Sequence, residues 1–330
     1  MIHLDESTLK SLRSSKNLLA FSAGVDSSAL FFLLLENNIK FDISLINYNL
    51  REQSKEEASY ARKLAKKYQL EVYITEAPNF QNNFEKNARD FRYAFFDKLI
   101  QQNGYLNLLT AHQLEDQLEW LLMRLCKGAG TTELLGLESI STRKNYTLIR
   151  PILHHAKDEL LNYLHKHKYH YFVDQSNSDE KYERNWFRKN ISEKLISKYK
   201  SGIQKSFKYL QEDKNILMGE YKELFHKHEL YILKIENHKN RVRIIDKYLK
   251  KLGYLLSSSQ RIELKNNDSI VFGGLWAVEI WENKIFIAPY NKEPMSKTFK
   301  EECRILKIPS KIRPYLYRNF ITIKEIEVSF

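Results

Sequence analysis

Short apolar segments alternate with longer amphipathic segments through about residue 127, and this alternation predicts a parallel sheet covered by helices on both faces. The predicted strands span residues 17–21, 41–46, 71–74 and 105–110, and the predicted helices span residues 27–37, 54–68, 87–102 and 114–127. Ligands of such sheets bind beyond the carboxyl ends of the strands. Residues that directly follow Phe21, Ile46 and Thr110 are therefore expected to meet in one crevice.

Beyond Gly136 the chain becomes rich in Lys, Tyr and His, and it is expected to be helical to about residue 221. Strand-like alternation returns in three runs between residues 269 and 288, and Glu282-Asn283 between the last two runs predicts a hairpin turn. The predicted fold class is therefore α/β: a doubly wound, mainly parallel sheet followed by a helical region and a small α+β C-terminal domain.

The chain of 330 residues carries 53 Lys and Arg against 41 Asp and Glu, a formal net charge of +12. This balance favours a polyanionic partner such as nucleic acid, although a Lys-rich composition also arises from genomic base bias. Cys126 and Cys303 are too few for a disulfide framework or a cysteine-rich metal site. Without a signal-like start or a membrane-length apolar run, the protein is expected in the cytoplasm.

The first predicted strand runs into the sequence SAGVDSS at residues 22–28, where a helix opens. Small residues let the backbone approach a ligand, and the amides at a helix N-terminus favour a phosphate. Asp26 can hold a cation that bridges phosphate oxygens. No lysine follows the glycine, so the segment is not a Walker loop. The alternative is an ordinary strand-to-helix turn with Ser27 as the N-cap.

The helix after Thr110 places His112, Asp116 and Glu119 on one face, at the carboxyl end of the preceding strand. The opposite, apolar stripe consists of Leu114, Leu118, Leu121, Leu122 and Leu125. Two carboxylates and an imidazole at this position can hold an ammonium group, bind magnesium or move a proton. The alternative is a solvated polar face, as charged residues opposite an apolar stripe often form.

Arg184 and Arg188 are four residues apart, so in a helix both guanidinium groups point the same way. Forked guanidinium groups suit phosphate. The alternative is ion pairing with Asp179 or Glu180.

These motifs together resemble those of the tRNA(Ile)-lysidine synthetases, members of the PP-loop or N-type ATP pyrophosphatase family. The matching segments are residues 22–27, 47–51, 88–93, 110–119, 124–130, 149–153, 174–177 and 184–188. They cover roughly the first two-thirds of the chain in the family's order. The sequence departs from the family's pattern at Ala23, which replaces a glycine, at Tyr48, which replaces a histidine, and at Glu133, which replaces a glycine.

The resemblance implies that ATP and lysine react with the wobble cytidine of the isoleucine tRNA that has a CAU anticodon, through an adenylated cytidine, releasing pyrophosphate and AMP. It implies nucleotide binding by Ser22, Ala23, Gly24, Val25, Asp26, Ser27 and Arg51, and catalytic roles for Asp26, His112, Asp116 and Glu119. It implies magnesium at Asp26 and Asp116. Contacts with phosphates of the nucleotide or tRNA are assigned to Arg89, Arg92, Arg184 and Arg188.

We expect the chain to divide into a catalytic PP-loop domain (1–137), a helical extension that completes the active site and contacts tRNA (138–215), and a smaller α+β tRNA-binding region (216–330). The resemblance supports the first two regions, and the role of the third is inferred mainly from charge. A homodimer is possible. Candidates for a basic surface that binds tRNA are Lys205, Lys208, Arg241, Arg243, Lys311 and Arg313.

Three other functions fit parts of the pattern. A tRNA thiolase uses the same loop, but that chemistry usually relies on clustered cysteines. A small-molecule amidating enzyme of the same class would not need the basic second half. A non-enzymatic RNA-binding protein would release no pyrophosphate from ATP in the presence of tRNA.

Overall fold

A computed structural model describes residues 2–49, 53–80, 82–143, 145–173 and 183–327. The chain forms two compact units, Met1–Leu210 and Gln211–Phe330. In the described ranges, no helix combines the length and the apolar character that crossing a membrane requires.

The first unit alternates strands and helices, as the sequence pattern predicts. The elements are α1 (Glu6–Arg13), β1 (Asn17–Ala20), α2 (Val25–Glu36), β2 (Phe41–Asn47), α3 (Gln53–Tyr68), β3 (Val72–Glu76), α4 (Phe84–Asn103), β4 (Asn107–Leu109), α5 (Leu114–Leu125), α6 (Thr131–Leu134), β5 (Ile140–Thr142), β6 (Thr147–Ile149), α7 (Lys157–His167), α8 (Glu183–Phe187) and α9 (Glu193–Met218). The last helix, α9, continues past Leu210, where this unit ends. A π-helical turn, Arg188–Ser192, lies between the last two helices.

The strands form one sheet in the order β3-β2-β1-β4-β6-β5, parallel except for the antiparallel edge strand β5. Side chains of β1 alternate between two cores, as expected for successive residues of a strand. Leu19 packs in a core with Leu30 of α2, whereas Leu18 packs in another with Phe96 of α4. Both faces of the sheet are therefore covered, which confirms the predicted doubly wound α/β fold.

Two features of this unit differ from the expectation. Strands β5 and β6 lie beyond residue 137, in the segment expected to be a helical extension, and they complete the sheet. Each is three residues long, too short to show an alternation of its own. In addition, α2 begins two residues earlier than predicted, after Gly24.

The second unit contains a five-stranded antiparallel sheet in the order β7-β8-β11-β10-β9. Its elements are β7 (Tyr221–Lys227), β8 (Leu230–Ile235), α10 (Arg241–Lys251), α11 (Ser258–Asn266), β9 (Ser269–Phe272), β10 (Trp276–Trp281), β11 (Lys284–Pro289), α12 (Lys297–Ile305), α13 (Arg313–Arg318) and α14 (Ile323–Glu327).

The predicted α+β character and strands β9 to β11 are confirmed. Trp281 pairs with Lys284, so Glu282 and Asn283 form a two-residue turn in which Glu282 has a φ of 54°. The sequence pattern missed β7 and β8. Charged residues interrupt β7, and an irregularity between Glu223 and Phe225 breaks its alternation, so its pattern does not have a period of two.

Candidate active site

The carboxyl ends of the parallel strands β1, β4 and β6 lie side by side at one edge of the first unit's sheet. The loop after β1 leads into α2, the segment after β4 leads into α5, and Arg150 directly follows β6. The sequence motifs at residues 22–28 and 110–119 are thus brought to one edge, as predicted from the strand order.

The loop after β1 is held by the segment that follows α7. The backbone N–H of Phe172 donates to the carbonyl oxygen of Ala23 at 2.9 Å, and Gly24 forms a parallel bridge with Phe172. Ala23 is fully buried and has a φ of 59°, in the left-handed region where a Cβ atom is disfavoured. The departure from glycine therefore falls on the residue of this loop that most needs glycine's freedom.

The hydroxyl groups of Ser22 and Ser27 organise the turn into α2. Ser27 Oγ accepts from the Ser22 backbone N–H at 3.2 Å, lies 3.1 Å from Ser22 Oγ and donates to the carbonyl oxygen of Gly24 at 3.2 Å. Gly24 is the N-cap, so Ser27 as N-cap, proposed in the alternative interpretation, is wrong. Ser22 remains exposed beside the helix N-terminus and is available to a ligand.

Asp26, in the first turn of α2, is a poorly satisfied carboxylate. Its Oδ1 atom is buried and has no hydrogen-bond partner in the described structure. Burial raises the pKa of Asp26 to about 7, and the negative charge of Asp116 adds to the shift, while Lys157 and Arg188 oppose it. The loop thus holds an acid whose ionised form lacks compensation, which is the condition that a bound cation would relieve.

Asp116 belongs to the first turn of α5 and also caps that helix. Its Oδ2 atom accepts from the backbone N–H of Gln113 at 3.0 Å, and the Gln113 side chain accepts from the N–H of Glu115 at 2.6 Å. This reciprocal arrangement is a capping box. It fixes the Asp116 side chain, so that Oδ1 is left to face other groups.

Asp116 and Glu119 form a buried ion-pair network with Arg184 and Arg188. Glu119 has no exposed side-chain surface, and it accepts from Arg184 Nε at 2.8 Å and from Arg188 Nε at 2.7 Å. Asp116 Oδ1 accepts from Arg184 Nη2 at 2.5 Å and lies 3.5 Å from Arg188 Nη2. Burial opposes ionisation of Asp116, but Arg184, His112 and Arg188 hold its pKa below the ordinary value.

This network decides one alternative left by the sequence. The polar side of α5 is not a solvated face, because Asp116 and Glu119 are both buried. Conversely, Leu125, assigned to the buried stripe, is 56% exposed. The described partners of the two arginines are these acids of α5, whereas Asp179 and Glu180 lie outside the described residues.

His112 lies beside the network and is neutral at physiological pH. Burial lowers its pKa to about 4; Asp116 opposes this shift, and Arg150, Arg184 and Arg92 strengthen it. Its Nδ1 atom is 2.9 Å from the hydroxyl group of Thr110. His112 therefore contributes a hydrogen-bonding ring rather than a positive charge.

The comparisons with known proteins agree with this geometry. Residues 3–195 match the model of the PP-loop domain. The chain is 46% identical over 307 residues to a tRNA(Ile)-lysidine synthase from Wolinella succinogenes, covering 93% of this chain and 94% of that protein. It is 42% identical over 326 residues to the tRNA(Ile)-lysidine synthase of Campylobacter jejuni, covering 98% of this chain and 99% of that one.

The chain belongs to the tRNA(Ile)-lysidine synthase family. It is therefore an enzyme, which excludes the non-enzymatic alternative, and its PP-loop domain indicates that it binds ATP. Among solved structures, the U34-tRNA thiolase NcsA from Methanococcus maripaludis is similar with a TM-score of 0.50 and 18% identity, covering 63% of this chain and 76% of that one. This likeness shows a shared fold.

Glu115 and Arg150 also lie at the site, although the sequence pattern did not single them out. Both Glu115 carboxylate oxygens lie 3.1 Å from the backbone N–H of Lys157, at the start of α7, and burial raises the pKa of Glu115 to about 7. Arg150 is 5% exposed; its Nη1 atom donates to the carbonyl oxygen of Glu138 at 2.6 Å. Their positions in the motif after β4 and at the end of β6 were the available signals.

Arg89 and Arg92, two further predicted site residues, form no ion pair with the network in the part of the chain that the structure describes. Arg89 and Arg92 are exposed on α4, and Arg92 Nε donates to the hydroxyl of Tyr48 at 3.2 Å. Tyr48, which replaces the family's usual histidine, thus holds this arginine. Arg51 and the motif at residues 174–177 lie outside the described residues, so their assigned roles stay predictions.

Several residues of the candidate basic surface already have partners within the protein. In the second unit, Arg241 pairs with Asp268 at 2.6 Å, Lys311 donates to a backbone carbonyl at 3.1 Å, and Arg313 donates to the carbonyl of Ile308 at 2.8 Å. Among the described residues, the hydrogen bonds of Arg243 are long, at 3.4 and 3.5 Å. On α9, Lys205 and Lys208 are exposed.

Proposed function

We propose that this enzyme joins free lysine to the wobble cytidine of the isoleucine tRNA with a CAU anticodon, through an adenylated cytidine. ATP would be consumed to pyrophosphate and AMP. The observation that supports this most directly is the adjacency of two unlike elements at one sheet edge: an anion-binding loop that carries Asp26, and a charge-balanced network centred on Asp116. Activation of a base by ATP and capture by an amine need both.

The loop supplies the nucleotide half of the proposed site. Backbone N–H groups at the start of α2 and the hydroxyl of Ser22 would hold the pyrophosphate as its charge develops, since fixed donors cost no reorganisation during the reaction. Gly24 has a φ of −75°, which any residue can adopt, so its role is best explained by close approach of the nucleotide.

Magnesium fits Asp26 better than it fits Asp116. Asp26 Oδ1 has no hydrogen-bond partner and the pKa of Asp26 is raised, so a bound dication would stabilise its ionised form. Both oxygens of Asp116 are already engaged. In the described residues no three His, Cys, Asp or Glu side chains cluster as a ligand set. Bound at Asp26, magnesium would neutralise phosphate charge.

The lysine would be recognised by Asp116, whose side chain is 12% exposed, rather than by Glu119, whose side chain is fully buried. Glu119 is then a positioning residue: it fixes both guanidinium groups, and these fix Asp116. His112, being neutral, would line the pocket without repelling the amine. This assigns the two acids of α5 different roles, although the sequence pattern treats them alike.

For the two units, we propose that the first carries the chemistry and the second contributes to tRNA binding. The net charge of +12 suits a polyanion, and a cytidine must leave its stack to enter the crevice. The exposed candidates for the basic surface are Arg243 in the second unit and, at the end of the first unit, Lys205 and Lys208. If their charge reversal leaves tRNA affinity and its salt dependence unchanged, this part of the proposal fails.

The decisive experiment is incorporation of labelled lysine into tRNA transcripts with a CAU anticodon, with and without ATP, comparing isoleucine and methionine acceptors. ATP-dependent labelling of the isoleucine transcript alone is expected. ATP turnover on tRNA without labelling would indicate another base modification, such as thiolation.

Site variants test the assigned roles. Asp116→Asn is expected to raise KM for lysine at least tenfold and leave KM for ATP within twofold, because the change removes the carboxylate charge, and with it the ion pair to Arg184, but leaves the nucleotide loop intact. The matched control is Asp158→Asn, an acid of α7 that is 60% exposed and pairs with Lys200. An equal effect on both substrates would contradict recognition of lysine by Asp116.

A further inference from the structure

A second concave site lies on the side of the first unit, away from the residues described above. A cavity of about 270 Å³ opens between α2, α3 and the segment after α7. Its lining combines three lysines with several aromatic rings; those that matter here are Lys63, Lys67, Lys168, Tyr60, Tyr68 and Tyr169. None of these six residues belongs to the sequence motifs described above.

The lysines give the cavity a positive charge without internal compensation. Lys63 and Lys67 are one turn apart on α3, and Lys168 ends α7; all three are exposed. Across the described ranges, none of them forms an ion pair with an acid. Glu36, near the rim, accepts from the hydroxyl of Tyr169 at 3.3 Å. An anion in the cavity would therefore reduce the mutual repulsion of the lysines.

The aromatic residues give the cavity flat walls that are already fixed. Tyr169 stacks on Phe32 with 3.6 Å between ring centroids, and Tyr68 packs edge-on against Phe32 at 6.5 Å. Tyr60 packs edge-on against His170 at 5.0 Å. Rigid aromatic walls favour a planar ring, because stacking on them requires little ordering of the protein.

The cavity is connected to the nucleotide loop through one short segment. The hydroxyl of Tyr60 donates to the carbonyl oxygen of His170 at 2.9 Å, and Phe172, two residues later, donates to Ala23 of the loop at 2.9 Å. A ligand in the cavity would thus contact the same segment that holds the loop in place.

We propose that this cavity binds one nucleotide unit, with its base against the tyrosines and its phosphate on Lys63, Lys67 and Lys168. A ligand that joins a planar aromatic ring to a negatively charged phosphate matches both features of the lining. The nucleotide can belong to an RNA chain or be free in solution. The proposal does not depend on the lysine-joining reaction.

Lysine footprinting of the full-length protein tests occupancy and identifies the source. Mass spectrometry measures the amine-reactive labelling of Lys63 and Lys67 in three samples: the protein without ligand, the protein with a CAU-anticodon tRNA transcript, and the protein with millimolar CMP. Lys66, exposed on the same helix but outside the cavity, is the internal reference. Protection of Lys63 and Lys67 by the transcript only indicates an RNA nucleotide, and protection by CMP indicates a free one. No protection by either overturns the proposal.

A pair of double variants tests the same site by affinity. K63A/K67A is expected to weaken binding of the protecting ligand at least fivefold and, for RNA, to lower the salt slope by about 0.7 to 1. The control R62A/K66A removes two exposed charges with the same spacing from the same helix outside the cavity. Equal losses in the two variants would show general charge attraction and contradict a nucleotide site. Because the readout is binding, the result stands whether or not lysine is transferred.

Discussion

Glu119 and Arg188 are joined by two nearly parallel hydrogen bonds, Nε to Oε1 at 2.7 Å and Nη2 to Oε2 at 3.0 Å. The Glu119 carboxylate is fully buried, and its Oε2 atom accepts a further hydrogen bond from Arg184 Nε at 2.8 Å. Such bidentate pairs are strong and directional. The turn that carries Arg184 and Arg188 is thereby fixed on α5, beside the residues that follow β4.

Removing the charge of Glu119 is expected to destabilise the first unit by about 3 kcal/mol, since the half-exposed Arg184 and the largely covered Arg188 lose a shared, fully buried partner. The variant Glu119→Gln keeps the size of the side chain. Urea unfolding, with hydrogen exchange of α5 peptides to assign the transition, measures the effect. Glu6→Gln is the control, because Glu6 pairs with Arg13 on the exposed surface. Equal effects of the two changes would contradict a special role for the buried network.

Much of this fold was predictable because local pattern determines it. The strand β1 is short but bordered by loop and helix signals, and β9 to β11 alternate clearly around the Glu282-Asn283 turn. The network was not predictable from pattern. Arg184 and Asp116 are 68 residues apart, and a helical wheel gives the face of a charged residue without its burial. Resemblance identified the residues, but only the fold shows that acids and arginines pair with each other.

Asp26 is expected to make stability depend on pH. Its pKa is raised from 3.8 to about 7 in the folded state, so the native protein holds this proton more tightly than the unfolded chain. Stability from this group is therefore present below pH 4 and is lost as pH rises towards 7.

Asp26→Asn mimics the protonated form and removes this loss. At pH 8, without magnesium, the variant is expected to be more stable than the natural protein by up to about 4 kcal/mol, with less than half of this difference at pH 5. Urea midpoints at the two pH values measure this. Burial is the largest cause of the raised pKa of Glu115, and the charge of Asp26 is a smaller one, so most of the Glu115 contribution is common to the two proteins. A difference that does not change with pH would contradict the raised pKa.

Ala23 is expected to tolerate glycine but not a branched side chain. With a φ of 59°, Ala23→Gly relieves strain of about 1 kcal/mol, offset by the lost methyl group and by greater unfolded-state entropy, so stability changes little. Ala23→Val adds β-branching in a buried left-handed position and should cost about 2 kcal/mol or more. Ala20→Val, in the neighbouring strand β1, is the matched control. Similar losses in the two valine variants would exclude backbone strain as the cause.

Gly24 and Gly136 are expected to respond to alanine in opposite ways. A Cβ atom at Gly24 would lie 3.5 Å from Ser22 Oγ, an ordinary contact, whereas one at Gly136 would lie 3.0 Å from Trp120 and 3.1 Å from the carbonyl oxygen of Glu133. Gly24→Ala should therefore leave the unfolding free energy within about 1 kcal/mol and raise KM for ATP at least tenfold, because the added methyl would lie beside the Ser22 hydroxyl that is proposed to hold the pyrophosphate. Gly136→Ala should lower stability by about 1 to 3 kcal/mol and leave KM for ATP within twofold. Urea unfolding together with ATP-dependent pyrophosphate release on tRNA separates the two effects. If Gly24→Ala unfolds more easily but binds ATP normally, the glycine serves the fold of the loop rather than the approach of the nucleotide.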